Sequence, residues 1–166
     1  LRDPGDPAHG IDLAALAQRY VDRYAAYKSA KKTEGSLDIQ KIPGVNHPVF
    51  KDKPVNHDPR ERFIAERLAA RGESNVFHAY YRELVQALFD AGVSRNVYCV
   101  NIDAVISALL LKLCWQPYRS GKLSQSALET AAFDGWLWRF SDGGSQRANS
   151  VSALSYAGCD VEASID

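Results

Sequence analysis

Residues 74–92 read SNVFHAYYRELVQALFDAG and predict a helix that is buried along one face. Ser74 suits the N-cap position, and Gly92 suits the stop, because glycine adopts the left-handed conformation that ends many helices. His78 is expected on the polar surface of this helix. Apolar residues recur at the three- and four-residue spacing of a buried helical face. They are Val76, Phe77, Tyr80, Tyr81, Leu84, Val85, Leu88 and Phe89.

Two helices are predicted upstream of this one. Residues 11–32 have apolar residues at helical spacing, with a tyrosine-rich side that we interpret as core packing. Pro59 fits the first turn of a second helix, which closes at Gly72. Between them, residues 40–60 hold prolines that exclude a continuous helix. A long ordered loop is therefore expected there, and such loops often carry function.

Downstream of residue 92 the pattern is again helical. Asp103 opens an apolar helix that Pro117 is expected to end, and Ser126 with Glu129 has the spacing of a capping box before another helix. Residues 96–102 are the one stretch that favours a short extended segment. The predicted fold class is therefore all-α.

The character of the sequence changes after Phe133. Residues 1–133 form the predicted helical segment, whereas residues 134–166 have no sustained helical period and are rich in Ser, Ala, Asp and Gly. We expect the latter to be a divergent, poorly ordered tail. The chain has no methionine, which favours a partial sequence, and a frameshift near Phe133 is a hypothesis for the change.

Composition excludes several classes of protein. The 20 basic residues balance 20 acidic ones, so broad binding to nucleic acid or to an anionic membrane is not expected. The longest apolar stretch, Val105 to Leu111, is too short to span a bilayer. The three cysteines, Cys99, Cys114 and Cys159, are widely spaced, and the apolar runs around Cys99 and Cys114 favour buried free thiols in a reducing compartment. A cytoplasmic protein is expected.

Three residues are candidates for chemistry. His47 lies in a loop stiffened by prolines on both sides, which suits a proton donor, with a surface histidine as the alternative. Asp103 is placed at a helix N-terminus among apolar residues, which suits a base, although capping alone would explain it. Arg60 could pair with a substrate carboxylate, or simply be a solvated arginine at the start of a helix.

Motifs of other enzyme classes are absent from the sequence. There is no P-loop, no dinucleotide-binding glycine pattern, no serine nucleophile elbow and no His-x-x-x-His metal pair. The sequence therefore does not support assignment to the kinases, the Rossmann dehydrogenases or the metal hydrolases.

Three short motifs together resemble the C-terminal part of citrate synthases and the citryl-CoA lyase module of ATP-citrate lyase. They are Ile-Pro-Gly-Val-Asn-His at residues 42–47, Asp-Pro-Arg at residues 58–60 and Asn-Ile-Asp at residues 101–103. The family has a Pro-Gly-x-Gly-His loop, an Asp-Pro-Arg turn and an Asn-Val-Asp segment in the same order. The resemblance covers residues 38–133.

The resemblance implies a role for each candidate. Asp103 would remove the methyl proton of acetyl-CoA, and His47 would donate to the carbonyl of oxaloacetate or to the citryl group in the reverse cleavage. Arg60 would bind a substrate carboxylate. Coenzyme A would lie against the backbone of Pro43, Gly44, Val45 and Asn46. The coenzyme A thioester is a substrate, and no metal or other cofactor is implied.

Two departures from the family pattern shape the functional expectation. Asn46 stands where the family has glycine, and the family's further catalytic histidine lies upstream of the matching segment. The first hypothesis is an incomplete citrate synthase-like enzyme, which would form a homo-oligomer as family members usually do. The second is a non-catalytic helical module that binds acyl-CoA, and the third is an all-α domain with an accidental resemblance.

Overall fold

The computed structural model describes residues 12–36 and 38–128, and helix is the main regular structure within them. The all-α prediction is confirmed at that level. Four α-helices are present in these residues: α1 at Leu13–Thr33, α2 at Pro59–Ala70, α3 at Val76–Asp90 and α4 at Ile102–Arg119. A further helical turn begins at residue 125. The predicted tail at residues 134–166 and Cys159 lie outside the described residues.

Helix α3 is the centre of the core. It packs against both α1 and α4, and α2 packs against α4. Tyr80, Tyr81, Leu84 and Leu88 are at most 1% exposed, and burying a large apolar side chain stabilises a fold by roughly 1.5–3 kcal/mol. The predicted buried face of α3 is therefore confirmed for most of its residues, whereas Phe77 is only partly buried against the core and Phe89 is 41% exposed.

Two predicted N-caps are wrong by one or two residues. Asn75, not Ser74, caps α3, and its amide also donates to the carbonyl of Ala108 at 2.9 Å. An asparagine can accept from the helix and donate to α4 at once, whereas a serine has a single short hydroxyl. Ser124, not Ser126, accepts the Ala127 N–H at the next helical start; Glu129 lies outside the described residues.

The predicted end of α4 at Pro117 is also wrong. The helix continues to Arg119 with Pro117 inside its last turn. A proline removes the hydrogen bond to the carbonyl four residues earlier, which here belongs to Leu113. Leu113 is 73% exposed, so the helix tolerates the missing bond on its solvent side.

The proline-rich loop is ordered, as predicted. Val45 forms an antiparallel bridge with Val100, and Val55 forms a parallel bridge with Val97. The expected extended segment near residues 96–102 is thus present as two isolated bridges. At the other end of the loop, the Tyr24 hydroxyl donates to the carbonyl of Gln40 at 2.9 Å. The loop is therefore anchored to α1 and laid along the approach to α4.

Gly44 brings the loop into contact with the core. Its φ is +75°, and a Cβ at this position would lie 2.7 Å from Cβ of Ala104 and 2.9 Å from Cε1 of Tyr81. A side chain would therefore meet both α3 and α4, and only glycine adopts this backbone conformation without strain. This close approach carries the next three residues, which include His47, to the start of α4.

Candidate functional site

Asn101 caps helix α4, and Asp103 does not. The Asn101 Oδ1 atom accepts the N–H groups of Asp103 at 3.0 Å and Ala104 at 3.2 Å. Asp103 is the second residue of the helix, so the capping explanation for this residue is wrong. Among residues 12–36 and 38–128, its carboxylate forms no hydrogen bond or ion pair. The carboxylate is therefore available to a ligand.

The surroundings of Asp103 make it a stronger base than a solvated aspartate. The side chain is half-buried, and burial raises its pKa, as does the nearby Asp58 carboxylate, while Arg60 and His47 oppose the rise. The net direction is upward, because desolvation penalises the charged form. The side chains of His47 and Arg60 therefore lie near the Asp103 carboxylate.

His47 is held in one orientation by its own loop. Its Nδ1 atom accepts the Val49 N–H at 3.1 Å, and its ring stacks on Phe50 with centroids 4.7 Å apart. The neutral ring therefore carries its proton on Nε2, the nitrogen that remains able to donate. His47 is half-buried rather than fully on the surface. The arrangement can supply a hydrogen bond to a carbonyl oxygen.

Asn46 sets the backbone that orients His47. Its φ is +68°, in the left-handed region that asparagine tolerates better than most residues. Its Oδ1 accepts the His47 N–H at 2.9 Å, and its own N–H donates to the carbonyl of Cys99 at 2.8 Å. The backbone groups of Gly44 and Asn46 are therefore largely bonded within the protein, with the Gly44 carbonyl accepting the Asn101 N–H at 3.0 Å.

Arg60 is oriented rather than loosely solvated. Its Nε and Nη2 donate to the two carboxylate oxygens of Asp58 at 3.0 and 2.8 Å, and its guanidinium lies 5.8 Å from the centroid of the Phe50 ring. The side chain is 49% exposed. A bidentate pair uses one edge of the guanidinium and leaves Nη1 to bind a second anion.

Asp58 is the residue of this site that sequence reasoning missed. It is fully buried and caps α2 by accepting the Arg60 N–H at 3.0 Å, while its Oδ2 accepts the Ile102 N–H at 3.1 Å. Burial alone would raise its pKa, but the bonds from Arg60 and Ile102 outweigh burial and lower it. Aspartate before a proline at a helix start was the available signal, and it indicates a cap.

Two further histidines and two cysteines lie in the described residues, and one of them, Cys99, is beside this cluster, because the charges of Asp58 and Arg60 act on its thiol. His57 is exposed, whereas His78 is buried and its Nε2 lies 2.7 Å from Oε1 of Glu61, so the expectation of a surface position for His78 is wrong. Cys99 is a buried free thiol, as predicted, and burial raises its pKa to about 11. Cys114 is a half-buried free thiol.

No protein-family model matches the chain, and comparisons with curated proteins and with solved structures also give no match. Within the described part of the chain, no cluster of three or more His, Cys, Asp or Glu residues could hold a metal ion. None of the helices there is both long and apolar enough to cross a membrane. The case for a function therefore depends on the geometry of the residues themselves.

Proposed function

We propose that this chain contributes the C-terminal part of a citrate synthase-type active site, which condenses acetyl-CoA with oxaloacetate or cleaves citryl-CoA. One observation carries the proposal. Asp103 is a half-buried carboxylate that Asn101 releases from capping, and its pKa is raised beside an oriented histidine and an oriented arginine. A helix cap would have used the carboxylate; a base needs it unpaired.

Each residue then has one step. Asp103 takes a proton from the methyl group of acetyl-CoA, and the resulting enolate carbon forms a bond to the carbonyl carbon of oxaloacetate. His47 donates a hydrogen bond from Nε2 to the carbonyl oxygen as negative charge develops there. Arg60 binds a carboxylate of the oxo acid through the guanidinium edge that Asp58 leaves open. The coenzyme A thioester is the activated substrate in both directions.

The conformation of Asn46 supports the resemblance on which the proposal rests. The family has glycine at this position, and Asn46 has a positive φ of 68°. Glycine and asparagine are the residues most often found in that conformation. Asparagine at this position is therefore compatible with a backbone conformation that glycine also adopts.

The decisive experiment measures thiol release from acetyl-CoA in the presence of oxaloacetate, because water then cleaves the thioester of the citryl-CoA product to citrate and free coenzyme A. We expect Asp103→Asn to lower the rate by roughly 100-fold or more, the usual loss when a general base is removed. Asp90→Asn is the matched control, because Asp90 is an exposed aspartate at the end of α3 that bonds only to Gln86 among the described residues. Equal rates for the Asp103 variant and the wild type would remove the proposed base.

A non-catalytic acyl-CoA-binding module is the second candidate, since the family's further histidine has no counterpart in the matching segment. It predicts heat on titration with coenzyme A but no thiol release.

The proposed role of Arg60 can be tested separately from that of Asp103. Arg60→Gln should weaken oxaloacetate binding, whereas Arg67→Gln, on the same helix, should not. A homo-oligomer and a cytoplasmic location remain part of the proposal, and analytical ultracentrifugation tests the former.

A further inference from the structure

A groove of about 430 Å³ lies where α2 and α3 meet the start of α1, and none of the candidate site residues lines it. Alanines on both long walls leave the depression open, because they lack the side-chain volume to fill it. Its apolar lining consists of Leu13, Ala65, Leu68, Ala69, Val76 and Ala79. The groove therefore has apolar walls and enough room for a small molecule.

Two polar side chains that line the groove share one buried partner. The Nε2 atom of His78 lies 2.7 Å from Oε1 of Glu61, and Nη2 of Arg82 donates to the same oxygen at 2.9 Å. Burial would raise the pKa of Glu61, but the hydrogen bonds from His78 and Arg82 outweigh it and lower the pKa. Glu61 is therefore an ionised acceptor, and Nε2 of His78 carries the proton.

This arrangement fixes what His78 and Arg82 can offer to a ligand. With Nε2 donating to Glu61, the Nδ1 atom of a neutral His78 is a hydrogen-bond acceptor, and it has no partner among residues 12–36 and 38–128. Arg82 uses Nε and Nη2 on Glu61, and its side chain is 56% exposed. Its Nη1 edge can bind an anion. The groove thus combines an acceptor, a cation and apolar walls.

We propose that this groove is a second ligand-binding site for a small hydroxycarboxylate with an apolar body. The hydroxyl donates to Nδ1 of His78, the carboxylate pairs with Arg82, and the alkyl part lies along the alanine walls. Glu73, which also lines the groove, is engaged by Lys112 at 3.5 Å and Arg71 at 3.6 Å, so its charge is offset by neighbouring cations. The proposal does not depend on the function of the Asp103 cluster.

The test is ligand-detected saturation-transfer NMR and calorimetry of the full chain with 2-hydroxyisovalerate. We expect binding, and we expect isovalerate, which lacks the hydroxyl, to bind about tenfold more weakly, the loss for one hydrogen bond to a polarised partner. Ala69→Trp fills the groove from an exposed position on α2 and should abolish binding without touching the buried Glu61. Arg82→Gln should weaken it about tenfold.

Arg62→Gln is the matched control, because Arg62 lies on α2 and pairs with Glu66 outside the groove. Its affinity for the probe should equal that of the wild type. Absence of binding to the folded wild type would overturn the proposal. Equal affinities for the two acids would overturn the His78 contact, and with it the proposal, as would unchanged binding in Ala69→Trp.

Discussion

The starts of α2 and α4 each carry an aspartate, and the two carboxylates have opposite environments. Asp58 is fully buried and accepts four N–H groups, three from Arg60 and one from Ile102. Asp103 is half-buried and accepts none among the described residues. The pKa of Asp58 is lowered, whereas that of Asp103 is raised.

The difference separates a carboxylate bonded within the fold from one that is available to a ligand. Asp58 uses both oxygens to join Arg60 to the first turn of α4, so it stabilises the fold in its charged form. Asn101 supplies the acceptor that caps α4, and this leaves the Asp103 carboxylate without a structural task. An aspartate in the first turn of a helix is free of capping where another residue accepts the first N–H groups.

The largest expected effect comes from Gly44, which brings the loop into contact with α3 and the start of α4. Gly44→Ala should lower the free energy of unfolding by about 3 kcal/mol, because the left-handed backbone and the contacts with Ala104 and Tyr81 both oppose a side chain. Gly72→Ala is the control. It has a similar φ of +66° but nothing within 4 Å of its added Cβ, so about 1 kcal/mol is expected. Equal losses in urea denaturation would contradict the packing account.

Asp58→Ala is next. It should lower the free energy of unfolding by about 2–3 kcal/mol, because the α2 cap is lost and the Ile102 N–H is left without its acceptor. Guanidinium denaturation monitored by circular dichroism measures the loss. A loss no greater than that of an exposed aspartate, such as Asp22, would show that the four hydrogen bonds are not structural.

Acid should reduce the difference in unfolding free energy between the wild type and Asp58→Asn. A carboxyl whose pKa is lowered in the folded state stabilises the protein above its unfolded pKa, and that contribution disappears as the pH falls through the folded value. The difference in unfolding free energy between wild type and Asp58→Asn should therefore be full at pH 7 and shrink below about pH 4. Denaturation curves across this range measure it, and a difference independent of pH would contradict the ionised state of Asp58.

A smaller effect is expected in the loop that orients His47. Asn46→Ala should cost about 1 kcal/mol, because alanine is less tolerant of the positive φ of 68° and lacks the acceptor for the His47 N–H. Asn46→Gly restores the residue of the resembling family and should cost only a few tenths of a kcal/mol. Thermal unfolding compares the two variants. A glycine variant less stable than the alanine variant would show that backbone conformation is not the main requirement.

The smallest effect on stability is expected at Asp103. Asp103→Asn should change the free energy of unfolding by less than about 0.5 kcal/mol, because the carboxylate has no hydrogen bond to lose and its pKa is raised in the folded state. Any small gain should be full above the folded pKa, where the wild type is ionised in both states, and should disappear as the pH falls below the unfolded pKa. A loss as large as that of Asp58→Ala would mean that Asp103 has a structural role.

Much of the fold follows from local pattern. The helical spacing of α1 and α3, the start of α2 at Pro59 and the ordered loop at residues 40–60 were predictable, because periodicity and proline chemistry act over a few residues. The helix ends were less predictable. Asn75 and Ser124 displaced the expected caps, since a cap is chosen by what else its side chain can reach, as the bond from Asn75 to Ala108 shows.

The sequence alone determined which residue types stand at the two helix starts and that Asp103, His47 and Arg60 merit attention. Only the tertiary structure decided which partners the carboxylates of Asp58 and Asp103 have. The burial of Asp58 against Ile102 and the pairing of His78 with Glu61 each join atoms far apart in the chain. Charge state and availability are properties of an environment, and an environment exists only once distant segments have packed.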